Sequence, residues 1–214
     1  MDNLKTEKDI DAFYTGINDL IKAFQKHPFD FLYERDLQAF LYYKLYKKFR
    51  EDRVEIGGGC YKPMDYGGGK SIQTALVHCE YPCEERFKKM DVVLIDRNYI
   101  IHYDKLADGS ANDPFWRQPI RAAVELKYLM LGDIPAIRFG EKQGIKRDVE
   151  KLKKYREEKC MNRPFLGISI LFIQPINQKI NYFNIGQEIE NSNHPSKGLF
   201  VFLVKPDEFV KFEL

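Results

Sequence analysis

Several features that assign a protein quickly are scarce in this chain. No apolar run approaches the roughly 18 residues of a membrane span, and the opening MDNLKTEKDID is too acidic and polar for a secretory signal. A cytoplasmic protein with no membrane partner is therefore expected. Net charge is nearly absent: 34 Lys and Arg stand against 32 Asp and Glu, a formal +2. No global basic field marks a nucleic-acid binder, so any polyanion site has to be local. Cysteines are few, and Cys60, Cys79, Cys83 and Cys160 show no CxxC spacing, which points to reduced thiols and not to a disulfide frame. Neither an internal repeat nor a low-complexity linker interrupts the 214 residues. That length suits one well-cored domain spanning 1–214.

Aromatic residues are plentiful. The 16 Phe and 13 Tyr supply a dense core with some rings left for stacking at the surface. Hydrophobic periodicity predicts an amphipathic N-terminal helix over 6–26 through Ile10, Phe13, Ile17, Leu20, Ile21 and Phe24, with Thr6 and Asp9 as a capping pair. A second helix, predicted over 30–49, buries Leu37, Phe40, Leu41, Leu45 and Phe49 and carries Glu34 in its first turns. A carboxylate there also suits the helix dipole. Residues 51–70 read as a glycine-rich loop. Its second GGG runs into Lys70 and Ser71, but a phosphate-binding loop needs glycine where Met64 stands and must open a helix. SIQTALVHC alternates like a strand instead.

Strands are predicted over 71–79, 90–96 and 122–128. Asp91 opens the second, whose continuous apolar run from Val92 to Ile95 suits a central strand covered on both faces. Residues 97–121 form a polar, aromatic-spiked insertion. Its Trp116 and Arg117 are suited to stacking on a base and contacting phosphate, while Trp116 equally suits a hydrophobic anchor. A third helix over 141–159 turns Ile145, Val149, Leu152 and Tyr155 or Arg156 inward. Its outer face, with Lys142, Lys146, Arg147, Lys151, Lys153 and Lys154, is the strongest local basic patch. Strands over 165–173 and 199–204 follow, separated by a polar stretch.

The third strand, AAVELKY (122–128), sets an acid and a base two residues apart, so Glu125 and Lys127 share one face while Val124, Leu126 and Tyr128 share the other. Charge on a buried strand has to be paired or given to a metal. Glu34, Asp91 and Glu125 on neighbouring elements suit a hard cation such as Mg2+, which prefers carboxylates and is completed by water and substrate phosphate. Such an ion polarises a phosphoryl group and acidifies a bound water. Lys127 beside it can position or deprotonate that water and offset transition-state charge.

Asp91, then Glu125-Leu126-Lys127, with the preceding Glu34 helix, resembles the PD-(D/E)xK phosphodiesterase superfamily of restriction-endonuclease-like nucleases. The resemblance covers roughly 30–173. It implies an α/β fold with an α-βββ-α-β core, a mixed central sheet flanked by helices, to which 1–29 adds a helix and 174–214 a strand. It further implies a nuclease acting on DNA more than RNA, with Asp91 and Glu125 binding Mg2+ (or Mn2+), Lys127 as the catalytic lysine and Glu34 as an auxiliary acid. The proline that names the motif is replaced by Met90. The glutamine and tyrosine that one branch carries on the following helix are Lys151 and Tyr155 here, which makes Lys151 a candidate phosphate or active-site contact together with Lys146 and Arg147. The cysteine spacing does not match the iron–sulfur cluster of some members. A double-strand cutter with one site per chain is expected to work as a homodimer. The competing expectation is a catalytically inactive domain of this fold that binds nucleic acid or protein; intact Asp91, Glu125 and Lys127 argue against it.

Overall fold

The computed structural model describes residues 2–58, 71–82, 89–100, 118–129, 144–160, 163–175 and 198–214. Cys60, Cys83, Trp116, Arg117 and Lys142 lie outside them, as does most of the 97–121 insertion. The described elements run α1 (Asp2–Lys26), a 3-10 turn (Pro28–Asp30), α2 (Glu34–Phe49), β1 (Arg53–Gly58), β2 (Ser71–Ala75), β3 (Val77–Pro82), β4 (Lys89–Ile95), a second 3-10 turn (Arg97–Tyr99), β5 (Ile120–Leu129), α3 (Ile145–Lys159), β6 (Leu166–Ile173), β7 (Leu199–Val204) and β8 (Phe209–Glu213).

Strands β3 to β8 lie side by side in chain order as one six-stranded sheet. β3, β4 and β5 pair antiparallel, β5, β6 and β7 pair parallel, and β8 returns antiparallel to β7. A parallel step needs a crossover segment, and α3 lies within the one that joins β5 to β6. The inner strands are apolar almost throughout: Val92 to Ile95 and Ile168 to Ile173 are all buried, with Ser169 the one polar residue among them, as strands covered on both faces require. The fold is α/β, a mixed sheet flanked by helices.

Each face of the sheet has its own cover. On the Val124, Leu126 and Tyr128 face lies α1, where Phe24 meets Tyr128 and Phe172 edge-on with centroids 6.2 and 4.9 Å apart, and Tyr14 meets Phe202 at 6.0 Å. Its stripe of Phe13, Ile17, Leu20, Ile21 and Phe24 is buried as the periodicity predicts. α2 crosses α1 closely because Gly16 has no side chain: a Cβ there would stand 2.5 Å from Leu45 Cδ2. On the opposite face lies α3, drawn close by Gly167, whose absent Cβ would approach Leu199 Cδ2 to 2.5 Å and Leu152 Cβ to 3.4 Å.

Several expectations are corrected. The 51–70 segment is not all loop, since Arg53–Gly58 pairs antiparallel with β2 in a separate two-stranded ribbon. The single strand expected over 71–79 is two, broken at buried Leu76, whose carbonyl accepts the Ile95 amide at 2.8 Å. The chain leaves the ribbon there and joins the main sheet. α1 starts before Thr6, so Asp9 is not a cap; it receives a two-pronged contact from Arg97 at 2.7 and 2.8 Å, and Arg97 also reaches Asp52 at 3.1 Å. This buried bridge ties α1 to the turn after β4. α2 begins at Glu34 and not at 30, and β8 was not foreseen at all.

Candidate active site

The polar face of β5 gathers side chains from four elements. Glu125 and Lys127 point towards α3, as their contacts with that helix show. β4 contributes Asp91, whose Oδ2 accepts the backbone amide of Leu126 at 2.7 Å. This bond fixes the Asp91 carboxylate against the strand that carries Glu125. α2 contributes Glu34, and its Gln38 amide donates to the Asp91 carbonyl and to Glu80, both at 2.9 Å, holding helix and strands in register. Glu34, Asp91 and the Glu125–Lys127 pair, far apart in sequence, are thus brought to one place.

α3 answers β5 with charges of opposite order. Lys151 Nζ lies 2.5 Å from Glu125 Oε2 and donates to the Lys89 carbonyl at 2.9 Å. Asp148 Oδ2 lies 3.4 Å from Lys127 Nζ, which also stands 3.5 Å from both Glu34 oxygens. Asp148 and Lys151 are one helical turn apart and so face the sheet together. Lys151 is therefore not on the outer face expected for it; it turns inward because it pairs with a buried acid. Arg147 is exposed on α3, while the Lys146 side chain, Trp116 and Arg117 lie outside the described residues.

Asp148 went unnoticed in the sequence although it is buried and central. The signal was there: an acid one turn after Ile145 and one turn before Leu152, inside the stripe read as apolar. Tyr155 packs as expected, against Phe165, with its hydroxyl accepting the Ile120 amide at 3.3 Å.

Burial governs the electrostatics. Glu125 is 2% exposed, and desolvation, reinforced by the Asp91 carboxylate and opposed by Lys151, pushes its carboxyl up to about 8. Asp91, Glu34 and Asp148 are raised by the same cause; the Leu126 amide opposes the rise at Asp91, and Lys127 opposes it at the other two. Desolvation pulls Lys127 down, but Asp148, Glu34, Asp91 and Glu125 outweigh it and leave it raised. Lys127 is held as an ammonium, which suits charge compensation better than proton abstraction.

The donor set bears on what this place can hold. Glu125 Oε1, Asp148 Oδ2 and Ser169 Oγ are buried and have no hydrogen-bond partner among the described residues. The Asp148–Lys127 contact is thus a charge pair without aligned hydrogen-bond geometry. Ser169 pairs in register with Glu125 on the neighbouring strand. Among the described residues no group of three or more His, Cys, Asp or Glu side chains is placed to hold a metal ion. Asp91 and Glu125 supply two carboxylates, the donor type that magnesium prefers when water and substrate phosphate complete its shell. No protein-family model matches the chain, and neither the curated proteins nor the solved structures compared with it include a significant match.

Proposed function

We propose that this protein is a magnesium-dependent nuclease of the PD-(D/E)xK, restriction-endonuclease-like kind, hydrolysing phosphodiester bonds of DNA. One observation carries the reading: the buried, unpartnered Oε1 of Glu125 lies in a cluster with Asp91 and with a lysine ringed by carboxylates. A buried acceptor left without a partner costs about 1–3 kcal/mol, and a cation removes that cost.

Asp91 and Glu125 are the residues that would hold the ion, with Mn2+ able to replace Mg2+. Magnesium, when bound, supplies Lewis-acid polarisation of the phosphoryl group. Lys127, kept charged by Asp148 and Glu34, offsets the negative charge that grows on the phosphoryl oxygens as water attacks. The water oxygen bonds to phosphorus, one bridging P–O bond breaks, and a phosphate monoester and a free hydroxyl result. Glu34 and Asp148 fix the Lys127 ammonium from two sides, so its position does not depend on one flexible side chain. Lys151, one helical turn from Asp148, is the nearest further cation for the substrate's phosphate.

A second reading is favoured by one specific contact. Lys151 already neutralises Glu125 at 2.5 Å, as it would in a non-catalytic domain of this fold whose task is to bind nucleic acid or protein. Cleavage of supercoiled, linear and single-stranded DNA with Mg2+ or Mn2+, in wild type, Asp91→Ala and Lys127→Ala, separates the two. Metal-dependent cutting lost in both folded variants supports the nuclease. An inert wild type that binds no metal supports the binding domain.

A further inference from the structure

The outer face of α2 combines features that a solvated helix face does not need. Its exposed positions set one ring, Tyr43, among the cations Arg35, Lys47 and Lys48, while Phe49 is buried and Phe40 and Tyr42 pack against the core. Burial of Leu37, Leu41, Leu45 and Phe49 on the inner side turns Arg35, Ala39, Tyr43 and Lys47, all exposed, to the opposite side. Tyr43 is 56% exposed, with Lys47 Nζ standing 5.3 Å over its ring. Where α2 begins, Phe29, Leu32 and Tyr33 are 62, 55 and 60% exposed.

This stripe runs into the candidate active site. Tyr33, Glu34 and Arg35 line a cleft of about 660 Å3 with Asp36 and Tyr128, and Glu34 is the residue that reaches Lys127. Aromatic rings alternating with cations suit a chain whose backbone is anionic and whose apolar faces are free to stack. Paired bases offer no such faces. A second copy of this protein is disfavoured, because two faces each presenting Arg35, Lys47 and Lys48 would meet.

We infer that the outer face of α2 is a track for an unpaired nucleic-acid strand, with Tyr43 as its stacking platform and Arg35 and Lys47 as its phosphate contacts, leading to the cleft at Glu34. The inference rests on the nuclease reading for what the strand meets at the end of the track, not for the binding itself.

The test is fluorescence anisotropy of a labelled oligonucleotide, single-stranded and as its duplex, on the full chain in EDTA so that no metal-dependent cutting intervenes. Wild type is expected to favour the single strand. Tyr43→Ala is expected to weaken single-strand binding about tenfold, with little change for the duplex, and Tyr43→Phe to restore it. Lys47→Gln should lower the salt dependence of single-strand binding by about 0.7 in log–log slope. Tyr43 is a surface residue, so circular dichroism of each variant should match wild type. Equal affinity of wild type for both forms, or Tyr43→Ala binding like wild type, overturns the inference. So does a Tyr43→Ala variant that changes only the oligomeric state in light scattering. Tyr43-dependent strand binding by a protein that cuts nothing in any metal would remove the nuclease reading and leave this track standing; cutting by a protein indifferent to Tyr43 would do the reverse.

Discussion

The two faces of β5 do different work with the same backbone. On one, Val124, Leu126 and Tyr128 meet α1 through apolar and aromatic contacts; Phe24 touches Tyr128, Phe172 and Phe31 within centroid distances of 4.9 to 6.2 Å. On the other, Glu125 and Lys127 meet Lys151 and Asp148 of α3 as opposed charges. Dispersion and water exclusion hold the first face and reward close fit. The second holds charge in a dry place, where the desolvation cost offsets much of the Coulomb attraction. The apolar face accounts for stability, while the polar face keeps charged groups together at some cost to stability.

That division can be broken from either side. The largest effect is expected from Glu125→Gln, which should cut cleavage at least a thousandfold, about 4 kcal/mol of barrier, yet leave the urea midpoint equal or higher because a neutral amide replaces a buried acid. Lys151 keeps its bond to the Lys89 carbonyl in that variant. Phe24→Ala should do the reverse: about 4 kcal/mol of stability lost through a cavity, with the remaining folded molecules cutting at a near-normal rate. Above pH 8, where Glu125 is ionised, Lys151→Met leaves it without its cation and is expected to lower stability by about 3 kcal/mol; adding Glu125→Gln should recover part of the loss, a coupling that a double-mutant cycle reads directly.

Proton linkage sharpens the comparison through the slope of stability against pH. Glu125 titrates near 8 in the fold against 4.5 as a free side chain, so between those values the folded state holds a proton that the unfolded chain has released. Metal-free stability should therefore fall as pH rises from 4.5 to about 8, by less than about 1.4 kcal/mol per unit. Urea titrations of Glu125→Gln across that range should be flatter. An identical slope in both proteins would mean that Glu125 is not the group responsible.

Sequence reading succeeded where one physical signal dominated and failed where partners decided. The helical spacing of Phe13, Ile17, Leu20 and Phe24, and the apolar run from Val92 to Ile95, each fixed an element and its buried side. β1 was missed because Gly57 and Gly58 weaken the strand signal of Arg53–Ile56, and pairing with β2 decides the matter. The break at Leu76 is a change of sheet, which alternation along one strand does not reveal. Glu34, Asp91, Glu125 and Lys127, singled out by residue type and strand periodicity, lie together. Asp148 lies at helical spacing inside a stripe read as apolar, and the inward turn of Lys151 is set by its partner on β5.

The most direct measurement is manganese binding by calorimetry alongside DNA cleavage for Lys127→Met on one preparation. On the proposed nuclease reading, Asp91 and Glu125 hold the metal and Lys127 offsets only the charge of the transition state. Lys127→Met should therefore bind Mn2+ at least as tightly as wild type while cutting at least a thousandfold more slowly. A variant that still cuts, or a wild type that binds no divalent ion, would contradict it.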